Sequence, residues 1–362
     1  MQKIISFPHM GNYEVPIENL LVNVFRGHKV VPSPKITRRT LELGSKHSLD
    51  FVCVPFKYTL GNFIEALENG ANVLIQAGGG CRYRYYAEVQ EQILRYLGYD
   101  FTLVKLLSGN VSPFSLYKIS RKIGTPLSFA RFLYYVLLAI RIVNIMDRKE
   151  SYIRENIGFE RIENSFENLH REFLEKLKTV RSFRELKCIN KKYDSELKRI
   201  KVDKPDDCLK VGIVGELYTL MEPFSNFFIE KELAKNKVQV SRFINVTFLL
   251  FEKKRQLKKR LQDAGEYLKY DIGADGTDSV GKSRVLALNG YDGIIHLKPF
   301  GCTPEVNAMP MLQNIGRDYK IPVLYFSFDS QTSETGVRTR LEAFCDMIKM
   351  RKEKANCSQK GI

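Results

Sequence analysis

The sequence predicts an α/β protein: two flavodoxin- or Rossmann-like parallel-sheet domains with a helical insertion between them. Three observations predict it. Short apolar runs alternate with amphipathic stretches from residue 1 to about 107, strand signals vanish from about 108 to 205, and the alternation returns from about 206. Strands that alternate with helices favour βαβ units and parallel pairing. The expected domains are 1–107, 108–205 and 206–350, and 351–362 is expected to be a flexible tail with little to bury.

In order, QKIISFP reads as a strand, IENLLVNVF as a helix, and HKVVPSP and DFVCVP as two further strands. GNFIEALENG is a helix closed by Gly70, NVLIQAG a fourth strand, and YAEVQEQILRYLG a helix ending at Gly98 before DFTLVKL. Residues 128–146 and 165–200 have helical periodicity and few Gly or Pro. No acidic residue occurs between Asp100 and Asp147, so Lys105, Lys118, Arg121, Lys122, Arg131 and Arg141 have no opposite charge beside them in sequence. A solvated helix face and a surface for an anion or a partner both fit that run. Strands then return as LKVGIVGELY, VQVSRFI, GIIHLKPFG and IPVLYFSF. The intervening helices are SNFFIEKELAKNK, the basic NVTFLLFEKKRQLKKRLQDAGEYL, VNAMPMLQNIGRDY and TGVRTRLEAFCDMIKM. No solenoid repeat is present, but the two α/β regions read as distant copies of one plan.

Composition sets bounds. Of 362 residues, 44% are hydrophobic and 27% charged, which supports a sizeable core and excludes general disorder. Lys and Arg number 57 against 41 Asp and Glu, a net charge of +16 that suits nucleic acid, a phosphorylated cofactor or an acidic protein surface. The opening MQKIISFPHMGNYE shows no secretory signal. The most apolar segment, Phe132–Ile140 between Arg131 and Arg141, is too short to span a bilayer, which needs about 20 residues. A cytoplasmic address and no membrane partner are therefore expected. Seven dispersed cysteines in a reducing compartment are core residues, metal ligands or reactive thiols rather than disulfides.

Three cysteines share a placement. Cys53 follows DFV, Cys81 follows NVLIQAGGG, and Cys302 follows GIIHLKPFG, each at the carboxyl end of an expected strand and beside Pro or Gly (Pro55, Gly80, Gly301, Pro304). Ligands bind at that edge of open α/β sheets. Cys188, Cys208, Cys345 and Cys357 fall elsewhere. Three thiolates converging in one cleft between the sheet lobes suit an iron–sulfur site, with Lys57 and Arg82 offsetting its negative charge. The alternative is that all three are small buried hydrophobes, and no CxxC pair argues otherwise.

Other signals compete. Gly276–Ser283, GTDSVGKS, fits the Walker A pattern, yet the polar EYLKYDIGAD before it lacks the required buried strand. The plain reading is a glycine-rich loop leading into a short helix. A Walker B carboxylate would be sought at Asp329. His296 lies in GIIHLKP and reads either as a hydrogen-bonded core histidine or as a catalyst. Glu216 in VGELY and Glu305 in CTPE are candidate acid–base groups, although Glu305 equally suits the first turn of a helix. Arg338 and Arg340 follow the last strand and suit either phosphate recognition or a surface ion-pair cluster.

The strings CVPFKYTLGNFIEALENGAN, GGGCRYRYYAEVQ, GELYTLMEPFSNFFIEKEL, GYDGIIHLKPFGCTPE and FDSQTSETGVRTRLEAF resemble the 2-hydroxyacyl-CoA dehydratase superfamily, closest to its branch labelled CoA-dehydratase-activase-related. The resemblance covers both α/β regions and is weak in the helical middle. It implies two flavodoxin-like domains around a [4Fe–4S] cluster held by three cysteines, which carry over to Cys53, Cys81 and Cys302. It also implies an oxygen-sensitive protein of anaerobic metabolism. In that chemistry an ATP-dependent activator with its own cluster delivers a low-potential electron, and water leaves a CoA thioester by way of a ketyl radical. A second dehydratase-like subunit or a second copy of the chain is the further partner implied. The family usually has Pro before its second cysteine and Gly shortly after, where this chain has Gly80 and Arg84. Two other readings stay open: a cluster-carrying redox or accessory protein without dehydratase activity, and a basic nucleic-acid-binding or P-loop protein. No zinc finger, RNP motif or helix-turn-helix spacing supports nucleic acid.

Overall fold

The computed structural model describes residues 2–79, 81–106, 112–253 and 257–360, the side chains of 252, 356 and 358–360 apart. Gly80, the expected boundary at 107/108 and residues 254–256 of the basic segment lie outside the described residues. The chain forms an α/β protein with two four-stranded parallel sheets. It divides into two compact units, Met1–Met146 with Asn168–Glu196, and Asp147–Glu167 with Leu197–Ile362.

The first unit holds β1 (Ile4–Ser6), α1 (Glu14–Val24), β2 (Lys29–Val30), α2 (Arg38–His47), α3 (Val54–Glu68), β3 (Val73–Ala77), α4 (Tyr86–Tyr96) and β4 (Thr102–Leu106). α5 (Pro113–Ile123), α6 (Phe129–Asn156), α7 (Ser165–Lys178) and α8 (Phe183–Arg199) follow, with residues 147–156 of α6, 165–167 of α7 and 197–199 of α8 belonging to the second unit. Its strand order is β2-β1-β3-β4, all parallel. Alternation along β3 directs Val73 and Ile75 to a core shared with α1 and Phe132, and Leu74 to a core built on Phe56, Leu60, Phe63 and Leu94.

Two differences from the sequence reading are informative. DFVCVP is no strand: Cys53 is the N-cap of α3, with Pro55 in its first turn. Proline lacks only an N–H that the first turn leaves unbonded, and its fixed φ suits a helix start. The sequence reading also missed α2, in which Leu41 and Leu43 are the only long apolar side chains. Thr37 caps it in a reciprocal pair with Thr40, and Thr40 Oγ1 donates to Glu65 on α3 at 2.8 Å. α2 and α3 touch backbone to backbone: a Cβ on Gly44 would sit 1.7 Å from the Lys57 carbonyl oxygen, and one on Gly61 1.9 Å from that of Thr40.

α6 also differs from expectation. The nine-residue apolar run is the core of a 28-residue helix that is long and apolar enough, by length and composition, to cross a membrane. Of its most apolar window, 39% is buried. Leu138, Ile142 and Ile145 pack with Val15, Phe173, Leu177 and Tyr193. Asn19 of α1 donates to the carbonyls of Leu177, Lys178 and Val180 at 2.8–3.1 Å, satisfying the orphan acceptors at the end of α7.

The second unit holds β5 (Lys210–Gly215), α9 (Leu217–Met221), α10 (Ile229–Lys235), β6 (Gln239–Arg242), α11 (Leu257–Ala264), α12 (Gly276–Leu288), β7 (Gly293–Pro299), α13 (Thr303–Asp318), β8 (Val323–Phe328) and α14 (Glu334–Lys360). Its order is β6-β5-β7-β8, all parallel, so the first unit's plan is repeated. Every residue of β7 is buried, as befits a central strand covered on both faces. α14 runs through the stretch read as a flexible tail. The basic segment expected as one helix is a π-helical turn at Phe248–Glu252, then α11 and a 3₁₀ turn at Gly265–Tyr267.

Candidate functional site

In each sheet the strand order reverses direction between two central strands, β1 and β3 in the first unit and β5 and β7 in the second. Open α/β sheets bind ligands at the carboxyl ends of such strands. Cys81 follows β3, Glu216 follows β5 and Cys302 follows β7. Cys53 instead reaches a helix start by way of a turn.

What the three cysteines share is finer than a strand end. Cys53 is the N-cap of α3, Cys302 the N-cap of α13, and Cys81 immediately precedes the 3₁₀ turn Arg82–Tyr85. The first two stand in the same Cys-x-Pro frame, Cys53-Val54-Pro55 and Cys302-Thr303-Pro304. At a helix N-terminus the unbonded N–H groups and the axial dipole favour a thiolate over a thiol. The repeated Cys-x-Pro was the sequence signal for this placement, and it went unread.

Around Cys53 the first unit supplies partners that sequence reasoning missed. Tyr86 is 6% exposed, and its hydroxyl is hydrogen-bonded to Cys53 Sγ. Its ring meets Phe56 edge-on at 4.9 Å and Tyr83 at 4.7 Å. Gln76 alternates onto the face of β3 that carries Leu74, where Cys53, Tyr83 and Tyr86 also pack. It is 1% exposed, and neither atom of its amide has a hydrogen-bond partner among the described residues. Lys57 lies one helical turn beyond Cys53 on α3, and Arg82 is an exposed residue of the 3₁₀ turn.

The second unit gathers ionisable groups at its sheet edge. His296 and Glu305 are both fully buried, and His296 Nε2 lies 2.7 Å from Glu305 Oε2. Their remaining polar atoms, Nδ1 and Oε1, have no hydrogen-bond partner among the described residues. Glu305 sits in the first turn of α13, one turn from Cys302. Lys298, buried on β7, has its pKa pushed down by burial, against the pull of Cys302 and Glu305. Glu216 caps α9, accepting from the Tyr218 and Thr219 N–H groups at 3.0 and 2.9 Å. Burial, with Asp275 nearby, still raises its pKa to about 7. Asp275 accepts from the Leu217 N–H at 3.1 Å and pairs with Lys253. Arg260 and Asp278 form a buried ion pair beside them.

The remaining expected residues have structural partners. Arg338 lies 3.7 Å from Glu232, and Arg340 donates to the Tyr325 carbonyl at 2.7 Å with its guanidinium over Phe326. Asp329 is held in a turn by Gln331 and Thr332. GTDSVGKS is wholly within α12, with no loop to cradle a phosphate. The glycines serve packing: a Cβ on Gly276 would lie 2.5 Å from the Pro304 carbonyl oxygen. Lys282 lies over the Phe243 ring, 3.8 Å from Asp263.

Among the described residues, no three His, Cys, Asp or Glu side chains are grouped to hold one metal ion. A four-iron cube takes a separate thiolate on each ligated iron, so its cysteines need not share an ion. The donor chemistry, three thiols each at a helix or 3₁₀ N-terminus, fits thiolate ligation. Comparison with curated proteins gives no match. The family model described as 2-hydroxyglutaryl-CoA dehydratase, D-component, matches residues 283–348. That stretch carries the end of α12, β7, α13, β8 and the start of α14, and so includes His296, Cys302, Glu305, Arg338 and Arg340.

Proposed function

From the match of residues 283–348 to the model of 2-hydroxyglutaryl-CoA dehydratase, D-component, we propose that this chain is the cluster-bearing component of a reductive dehydratase-like system. In this reading Cys53, Cys81 and Cys302 hold one [4Fe–4S] cluster. When bound, such a cluster would supply one-electron chemistry, by which a low-potential electron from an ATP-dependent activator would reach a CoA thioester or a comparable substrate that resists reduction. The observation that carries the reading is that all three cysteines, far apart in sequence, stand at N-terminal helix or 3₁₀ positions, two in the same Cys-x-Pro frame.

The chain's own residues have separable tasks. Backbone N–H groups at the starts of α3 and α13 stabilise thiolate charge. Lys57 and Arg82 offset negative charge beside Cys53 and Cys81. The Tyr86 hydroxyl is hydrogen-bonded to the Cys53 sulfur and would donate to its thiolate, a bond of the kind that tunes ligand basicity and potential. Glu216, whose pKa near 7 lets it hold or release a proton at neutral pH, is the acid–base candidate. The His296–Glu305 pair orients the first turn of α13 behind Cys302.

A second reading has an observation in its favour. Arg338 and Arg340 are engaged by Glu232, the Tyr325 carbonyl and Phe326, an arrangement that serves packing rather than a CoA phosphate. That suits a cluster-carrying redox or accessory protein that leaves hydroxyacyl-CoA unchanged.

Iron and acid-labile sulfide analysis of anaerobically purified protein tests the proposal. The wild type should be brown, with about four irons per chain. Cys53→Ala, Cys81→Ala and Cys302→Ala should each lose most of that iron while Cys188→Ala keeps it. A colourless wild type, or three variants with wild-type iron, overturns the cluster. A brown protein that accepts activator electrons without turning over hydroxyacyl-CoA selects the second reading.

A further inference from the structure

We propose that the face formed by α5, the start of α6 and the turn before α8 in the first unit seats on an anionic lipid surface. Along α6, Ala130, Tyr134, Leu137 and Arg141 are exposed at spacings of four, three and four residues, one continuous stripe. Leu137 is 49% exposed and Phe114 on α5 is 53% exposed. Phe114 meets Phe129 edge-on at 5.8 Å, and Tyr134 meets Phe183 at 5.2 Å. The Tyr134 hydroxyl accepts from the Phe183 N–H at 3.3 Å, which fixes that ring in place. These rings and Leu137 form an apolar centre on the outside of the unit.

Cations surround it. Lys118, Arg121, Lys122, Arg131 and Arg141 are exposed, and no acidic residue occurs from 101 to 146. Lys118 lies over the Phe114 ring at 4.8 Å, and Arg121 and Arg141 bond only to neutral oxygens, of Thr125 and Asn144. Among the described residues, none of the five pairs with a carboxylate. An apolar centre whose rim along α5 and α6 is cationic, with Glu185 of α8 held by the Arg181 N–H at 2.9 Å, is complementary to acyl chains beneath anionic headgroups. Phosphate-seeking nucleic-acid surfaces need the cations but not the exposed Leu137 and Phe114. α6 has a window apolar enough to cross a bilayer, yet only 39% of that window is buried, more apolar surface than its core packing consumes. The sequence argument against a membrane excluded a span; lying on the surface needs none.

The chain has no tryptophan, so Leu137→Trp introduces a single reporter at the centre of the face. With the anaerobic full chain, vesicles of phosphatidylcholine mixed with phosphatidylglycerol should shift its emission to the blue, and brominated acyl chains should quench it. Pure phosphatidylcholine vesicles should do neither. Adding Lys118→Glu, Arg131→Glu and Arg141→Glu should weaken partitioning at least about a hundredfold, at about fivefold per cation lost. Phe114→Ser, which keeps every cation, should also weaken it and decides the matter if the charge-reversed protein fails to fold. The proposal is overturned by an unmoved emission, by equal partitioning of Phe114→Ser, or by a blue shift that follows protein concentration or an added oligonucleotide instead of lipid. Those last two outcomes assign the face to a second copy of the chain or to nucleic acid.

Discussion

Replacing Gly44 by Ala places a methyl group where α2 and α3 leave no room. The new Cβ falls 1.7 Å from the Lys57 carbonyl oxygen and 2.5 Å from its carbon. A real contact there needs at least 3.0 Å, and both obstructing atoms are backbone, so no rotamer change relieves the clash. The helices must part, and the opposite contact of Gly61 with Thr40 opens with them. Overpacking of this kind costs about 1–3 kcal/mol and occasionally more. Alanine returns up to about 1 kcal/mol in helix propensity. Because backbone blocks backbone, a net loss of about 2 kcal/mol is expected. Urea unfolding followed by circular dichroism reads this as a lower midpoint at unchanged slope. Gly336→Ala is the control: in the first turn of α14 its Cβ meets only Ser333 Cβ at 3.9 Å, so stability should hold or rise. Since Cys53 is the N-cap of α3, Gly44→Ala should also lower bound iron if Cys53 ligates the proposed cluster. A Gly44→Ala protein as stable as wild type refutes the close-contact reasoning.

Three further outcomes are expected. Glu216 has its folded pKa raised to about 7, so its contribution to stability is complete below the unfolded value of 4.5 and is lost as pH rises through 7. Glu216→Gln should therefore gain on wild type across that window, by at most about 3 kcal/mol; parallel stability curves from pH 4 to 8 count against the buried carboxyl. Asp278→Ala strands the Arg260 guanidinium in the interior and should cost about 3–5 kcal/mol by denaturant titration, whereas a loss under about 1 kcal/mol contradicts a buried pair. Lys282→Ala should leave nucleotide affinity, measured by calorimetry, no different from that of the wild type, because the Walker-like segment is helical; a wild type that binds ATP and loses it on this change contradicts that.

Much of the fold was legible because its signals are local. The seven strands named outside DFVCVP were marked by short apolar runs, on which β1 to β3 and β5 to β8 fall, and β4 falls on DFTLVKL. DFVCVP shows the limit: an apolar run is ambiguous between strand and helix start, and Pro55 settled it. α2 was illegible because its hold on α3 comes from two glycines and a threonine, not from an apolar stripe.

By itself, the sequence determined the α/β class, the family resemblance and the choice of Cys53, Cys81 and Cys302, since these depend on residue type and on neighbours along the chain. Tertiary structure decided what side chains meet across it. The Tyr86–Cys53 bond, the closed His296–Glu305 pair and the engagement of Arg338 and Arg340 each join residues from different elements. Hydrogen bonds and ion pairs depend on separation in space at the scale of single ångströms. No pattern of residues along a chain states such a separation until the sheets have brought the elements together.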